Sequence, residues 1–349
     1  MPRNLENIVI EYMKHFPIVA ILGSRQCGKS TLAIHLRDEI ENMIYLDLQR
    51  NSDVQKIHDP ELFFQMNPDR VVCLDEIQRV PELFLDLRSI VDQKRQNGQL
   101  IILGSASRDL IMQSSESLAG RIAYLELSPF LLSEVNGLTD DNLQRFWLRG
   151  GYPDSFLAVD DFFSLEWRRN FVRTYLERDI PQLGFNISAS RMERLWRMLA
   201  HNHSQILNSS KLGQSLDVSH HTIRRYVDLL EQTYMVRVLN SYTPNLKKRL
   251  IKSPKVYLRD SGVLHSLLGI ESINDLLGHP NFGASWEGMV IENILSELSH
   301  WKGSFYRTAA GAEVDLLIEK GNRRIAVEIK ASKAPSPTKG FWQALDDLA

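Results

Sequence analysis

The chain has 349 residues, 43% of them hydrophobic and 24% charged, with a formal net charge of −2. Such a composition suits a folded protein with two or three cores, and it excludes a disordered chain or a globally basic nucleic-acid binder. Any nucleic-acid contact must then come from a local patch. The two cysteines, Cys27 and Cys73, exclude a disulfide framework and a cysteine zinc cluster, and Cys73 reads as core packing in a strand. With no signal-like N-terminus and no apolar run long enough to span a bilayer, a cytoplasmic protein without a membrane segment is expected.

In chain order, Leu5 to Phe16 predicts a short amphipathic helix leading into the apolar run Ile18 to Leu22. Gly23-Ser24-Arg25-Gln26-Cys27-Gly28-Lys29-Ser30-Thr31 follows, fits G-x-x-x-x-G-K-S/T, and passes into a helical pattern with Leu32, Ile34 and Leu36. Strand, glycine loop and helix in that order are the context of a phosphate-binding loop. The glycines let backbone N–H groups turn inward around a polyphosphate, and the helix start adds a favourable dipole. Gly23 to Thr31 then line the nucleotide, Lys29 reaches the outer phosphates, and Ser30 offers its hydroxyl to Mg²⁺.

Met43 to Leu48 predicts a second strand, and Arg70 to Glu76 another that ends in two carboxylates. Downstream of a phosphate loop, Asp75 is assigned to Mg²⁺ and Glu76 to polarising the attacking water. Pro81 to Gln96 predicts a helix closed by Asn97-Gly98, and Gln99 to Ser105 a buried strand. Ser105 at its tip is either a strand-end turn residue or a hydroxyl that holds the catalytic water or senses the γ-phosphate. The alternation predicts an α/β fold, a doubly wound parallel sheet with its ligand at the C-terminal strand ends. Arg108 and Arg121 are the candidates for meeting transition-state charge, in cis or, in a homo-oligomer, across a subunit interface.

Together GSRQCGKS, VVCLDEIQRVPELF, IILGSAS and LAGRIAYLELSPFLLSEV resemble the AAA-type ATPase domain of a widespread prokaryotic family. Members of that family join this domain to a C-terminal region known as DUF4143, and the resemblance runs through nearly the whole chain. It implies a P-loop NTPase fold, ATP as the nucleotide, and the roles given above for Lys29, Ser30, Asp75, Glu76 and Ser105.

Gly150-Gly151-Tyr152-Pro153 marks a boundary or hinge. Phe162 to Asp179 predicts one helix with Trp167, Phe171, Tyr175 and Leu176 as core. Asn208 to Leu216, a turn at Asp217-Val218-Ser219, and His220 to Glu231 predict a helix, a tight turn and a second helix capped by Ser219. Strands at Met235 to Leu239 and Lys255 to Leu258 flank a basic tip of Lys247, Lys248, Arg249 and Lys252, giving a winged helix-turn-helix organisation. In DNA binding, His220, His221, Arg224 and Arg225 would face a major groove and the tip would contact phosphates; the alternative is a packing module.

Trp286 to Leu295 predicts a helix, Ser304 to Arg307, Gly311 to Ile318 and Arg324 to Lys330 three strands, with a hairpin turn at Gly321-Asn322. A helix Glu, a strand Asp and an E-x-K resemble the PD-(D/E)xK nuclease core. Glu328 and Lys330 share a strand face, so Asp315 and Glu328 could bind a divalent cation, Lys330 activate water and Glu287 complete the site. The sequence ends in the start of a helix, Phe341 to Leu345, where that fold continues with another strand.

The expected domains are an ATPase domain over 1–150, a helical connector over 151–200, a winged helix-turn-helix over 201–260 and a nuclease-like region over 261–349. Three functions of different class follow: a Mg²⁺-dependent ATPase acting on or regulated by DNA, an ATP-dependent DNA-binding switch with little turnover, and an ATP-gated metal-dependent nuclease.

Overall fold

In a computed structural model, described over residues 1–94, 96–106, 118–135, 139–183, 185, 187–243 and 250–348, the chain divides into two compact units. The first is Met1–Phe130 together with Gln232–Tyr234. It begins with helix α1 (Leu5–Met13), strand β1 (Ile18–Leu22), α2 (Lys29–Glu39), β2 (Ile44–Asp47), α3 (Asn51–Lys56) and α4 (Pro60–Met66). It continues with β3 (Val72–Asp75), α5 (Leu83–Lys94), β4 (Leu100–Gly104) and β5 (Ile122–Glu126).

Its five strands make one parallel sheet in the order β2-β3-β4-β1-β5. A parallel sheet covered on both faces needs near-continuous apolar strands, and β1 and β4 are buried at every position. Leu32, Ala33 and Leu36 of α2 and Leu83, Phe84, Leu87, Ile90 and Val91 of α5 are the buried residues of the covering helices, whereas Ile34 faces outward. Ile18 lies opposite Leu100 and Ile122, and Leu22 opposite Gly104 and Glu126. This register makes the glycine loop, Ser105 and Asp75-Glu76 leave the sheet from one edge.

The second unit is Leu131–Glu231 with Met235–Ala349. Its principal helices are α6 (Asp140–Arg149), α7 (Asp161–Thr174), α8 (Ala189–His201), α9 (Ser209–Leu216) and α10 (His220–Gln232). After them come β6 (Val236–Leu239), β7 (Lys255–Leu258), α11 (Ser261–Leu268) and α12 (Phe282–Glu297). The last elements are β8 (Lys302–Arg307), β9 (Glu313–Lys320), β10 (Arg323–Val327) and α13 (Lys339–Leu348).

The single helix expected over Phe162 to Asp179 stops being α-helical at Thr174 and passes into a π-helical turn, Tyr175–Asp179. Pro181, two residues on, has no N–H to continue an α ladder, and its ring crowds the preceding turn. Inside this unit the fully buried Arg168 of α7 donates to Leu148 O at the end of α6 (3.1 Å) and to Gly262 O in α11 (2.9 Å). Burial lowers its guanidinium to about 10.

β6 and β7 are antiparallel, and β10-β9-β8 form an antiparallel sheet. Leu316 and Ile318 of β9 pack with Ile291 and Leu295 of α12, and Leu317 with Phe341 and Ala344 of α13. The strand expected over Arg324 to Lys330 ends at Val327. Beyond it the Ile329 N–H donates to the Asp315 side chain (2.9 Å).

Candidate functional site

Gly23 turns the chain out of β1, and a Cβ there would meet Leu127 O at 2.1 Å, so only glycine fits. Gly28 caps the start of α2 with φ 103°, the left-handed region that a side chain disfavours. Next to Gly28, Lys29, 5% exposed, folds its ammonium onto the loop and donates to Gly23 O (3.0 Å) and Ser24 O (2.8 Å). The Ser30 hydroxyl donates to Asp75 Oδ2 (2.7 Å), and Tyr45 from β2 donates to the same oxygen. Burial, and then Asp75 itself, raise the Tyr45 phenol above its ordinary value, so it stays a donor.

Asp75 is 3% exposed, and its Oδ1 is buried without a hydrogen-bond partner, as is Ser24 Oγ in the loop. An orphaned carboxylate oxygen costs free energy unless something completes it. A hard divalent cation at Asp75 and an anion oxygen accepting from the Ser24 hydroxyl suit those two atoms, so the residues present fit a magnesium-bound polyphosphate. Glu76 turns through a left-handed backbone, φ 57°. Its carboxylate accepts from Ser105 Oγ at 2.9 and 2.8 Å and from the Gln78 amide, whose Oε1 is buried without a partner. The structure thus brings Lys29, Ser30, Asp75, Glu76 and Ser105 to one edge of the sheet.

Arg121 is not among them, so it does not meet this site within its own subunit. It precedes β5, and its carbonyl accepts from Ile18 N (3.0 Å) at the start of β1, the sheet edge opposite the loop. Its guanidinium is engaged by Asp92 at 2.6 and 2.9 Å. Arg108 lies outside the described residues, as do Lys247, Lys248 and Arg249.

In the second unit, α9, the turn through Asp217 (φ 53°) and α10 follow one another as expected, and the Thr222 N–H donates to the Ser219 cap (3.1 Å). Ile223, Val227, Leu229 and Leu230 are buried, Tyr226 is half-buried, and His220, His221, Arg224 and Arg225 are exposed on the other side.

The C-terminal acids do gather, yet not around an open cation position. Lys255 of β7, 3% exposed, places its ammonium 3.3 Å from Glu287 and 3.1 Å from Glu313. Tyr257 also donates to Glu287 (2.6 Å), and Lys330 lies 2.8 Å from Glu328 and 4.0 Å from Asp315. Burial, with Glu287 nearby, pushes the Asp315 carboxyl up to about 6. Burial opposes the charge on Lys255, but Glu287, Glu313 and Asp315 hold its ammonium above the ordinary value. Among the described residues no group of three or more His, Cys, Asp or Glu is placed to hold a metal ion. Lys255 and Lys330 thus offset part of the charge of Glu287, Asp315 and Glu328, the carboxylates expected to share a divalent ion.

Arg3, Tyr45, Gln78 and Lys255 were not singled out in the sequence. Only Lys255 left a trace there, as a charge opening the otherwise apolar Lys255–Leu258 strand.

A five-stranded parallel sheet with this loop and acidic strand is the fold of a P-loop NTPase. Protein comparisons agree: an AAA domain matches residues 15–136, a domain of unknown function (DUF8612) residues 140–274, and another (DUF4143) residues 282–349. The uncharacterized proteins Mb2031c of Mycobacterium bovis and Rv2008c of Mycobacterium tuberculosis are each 41% identical over 332 residues, 95% of this chain and 74% of theirs. An uncharacterized Haemophilus influenzae protein is 24% identical over 74% of this chain and 70% of its own. Among solved structures, the Walker-type ATPase PABY2304 of Pyrococcus abyssi shares the fold, with a TM-score of 0.54 at 17% identity over 76% of this chain and 95% of that one. The chain belongs to the bacterial family that joins an AAA domain to a C-terminal DUF4143 region. Among the described residues no helix is long and apolar enough to cross a membrane.

Proposed function

We propose that the chain is a Mg²⁺-dependent ATPase whose first unit binds ATP on Gly23 to Thr31. The observation that carries this is the joint exit of the loop, the Ser30–Asp75 pair and the Glu76–Ser105 pair from one sheet edge. Bound Mg²⁺ would neutralise phosphate charge and act as a Lewis acid on the transferred group. Ser30 and Asp75 would hold it, Asp75 offering its unpartnered Oδ1. Lys29 would exchange its loop carbonyls for phosphate oxygens. Glu76 would take up the proton of the attacking water, with Ser105 and Gln78 holding its carboxylate. Phosphate release with and without duplex DNA tests the reading: Lys29→Ala should bind ATP far more weakly and release no phosphate. Unchanged ATP affinity in that variant refutes the assignment.

A second reading, DNA contact, is favoured by one observation: two helices around a tight turn, followed by the β6–β7 ribbon, expose His221, Arg224 and Arg225 on one side of α10. That order of elements supports a winged helix-turn-helix organisation. Stimulation of phosphate release by DNA would join it to the ATPase, and DNA occupancy that follows nucleotide without turnover would instead make the chain a switch. The helix and three strands at the C-terminus support a nuclease-like fold in which Lys255 and Lys330 sit among the acids.

A further inference from the structure

The phosphate loop has a support that the reactions above do not use. Arg3, ahead of α1, is 6% exposed, and its guanidinium donates to Cys27 O in the loop (2.9 Å). The same group donates to Ser128 O (2.7 Å) and Pro129 O (3.3 Å) beyond β5, and lies 5.1 Å from the centre of the Phe130 ring. One planar side chain thus fastens the outer side of the loop to the segment that leaves the sheet edge, where Leu127 N donates to Leu22 O (2.7 Å). A flat fork of donors fixes the directions of several carbonyls at once, where an ammonium is a point charge on a flexible stem.

The Cys27–Gly28 peptide is what this contact governs. In a trans peptide the C=O and N–H point in opposite directions. Turning Cys27 O towards Arg3 therefore turns the Gly28 N–H away from it, as a loop gathering N–H groups on a polyphosphate requires. A cation on the carbonyl also polarises the peptide and strengthens its N–H as a donor. We infer that Arg3 is a positioning residue for nucleotide phosphates, orienting and polarising the Cys27–Gly28 peptide from outside the loop. The inference rests on the reading of the loop as an ATP site, and it extends that site to a side chain distant in sequence.

Calorimetric titration of the full chain with Mg·ATP and Mg·ADP tests it, alongside melting of the nucleotide-free protein. Arg3→Met should weaken both nucleotides on the order of tenfold, the scale of a hydrogen bond to a charged group, with a smaller change in kcat at saturation. Arg3→Lys should keep the fold and weaken both nucleotides by less. A folded Arg3→Met variant with wild-type affinity, or one whose only change is a lower Tm, overturns the inference. Should Arg3→Met not fold, an Arg3→Lys variant with unchanged affinity overturns it equally. Wild-type protein that binds neither nucleotide removes the ATP-site reading itself, and the brace with it; Lys29→Ala in the same titration separates that failure from a failure of Arg3 alone.

Discussion

Glu76 adopts φ 57° and ψ 45°, a backbone that costs a non-glycine residue about 1–3 kcal/mol. Hydrogen bonds from Ser105 and Gln78 hold its carboxylate in place. Glu76→Gln should preserve ATP binding, since the Ser30–Asp75 pair survives, and slow turnover by about 10² to 10⁴ through loss of the base. Single-turnover phosphate release compared with ATP affinity checks this; normal turnover would move the base elsewhere. Asp315 makes a prediction in pH. Its folded-state value is raised from 3.8 to about 6, so its contribution to stability is fully present below about 4 and is lost as pH rises through about 6. Asp315→Asn keeps an acceptor for the Ile329 N–H and removes that titration. Its Tm relative to wild type should therefore improve between pH 4 and pH 7; a constant difference across that interval would exclude the carboxyl as the source.

Between elements, Glu292 fastens α12 to the β6–β7 region through Arg237 (2.6 and 3.0 Å) and Arg259 (2.7 Å). Burial alone would raise its carboxyl, but the two guanidinium groups overcome it and hold it at about 2. Glu292→Gln leaves two cations facing a neutral amide in a buried setting and should destabilise the protein by about 3–5 kcal/mol, read by chemical denaturation. For α10, Arg224→Ala and Arg225→Ala should weaken duplex DNA binding and flatten its dependence on salt if the helix meets the duplex, while leaving ATP hydrolysis without DNA unchanged. Identical salt slopes in wild type and variants would assign α10 to packing alone. What was legible in the sequence follows the same division. β1, the glycine loop, β3 with Asp75 at its end and Glu76 just after it, and the Ser219 cap are written in contiguous residues, so period and turn chemistry sufficed. Where Arg121 sits was not legible because it depends on β5 lying beside β1, a pairing between distant segments. Lys255 was missed for the same reason, since its carboxylate partners come from α12 and β9.

At the scale of the molecule, nucleotide binding is a stability term for the unit that carries the loop. A ligand present at a hundred times its Kd adds about 2.7 kcal/mol to the state that binds it. Mg·ATP should therefore raise the Tm of the wild-type chain and leave that of Lys29→Ala unmoved. An equal rise in both would locate the nucleotide elsewhere.

The sheet order also sets a timetable for synthesis. β1 is made early, but its neighbours are β4 and β5, so its N–H and C=O groups on one side stay unpaired until Gly104 has been made and those on the other until Glu126 has been made. The strand that carries the phosphate loop is thus among the last to be enclosed, and for that interval an apolar segment, Ile18 to Leu22, is open to misassociation. Ribosome-bound nascent chains should expose this segment to protease until β5 emerges and become resistant together with the first appearance of nucleotide binding.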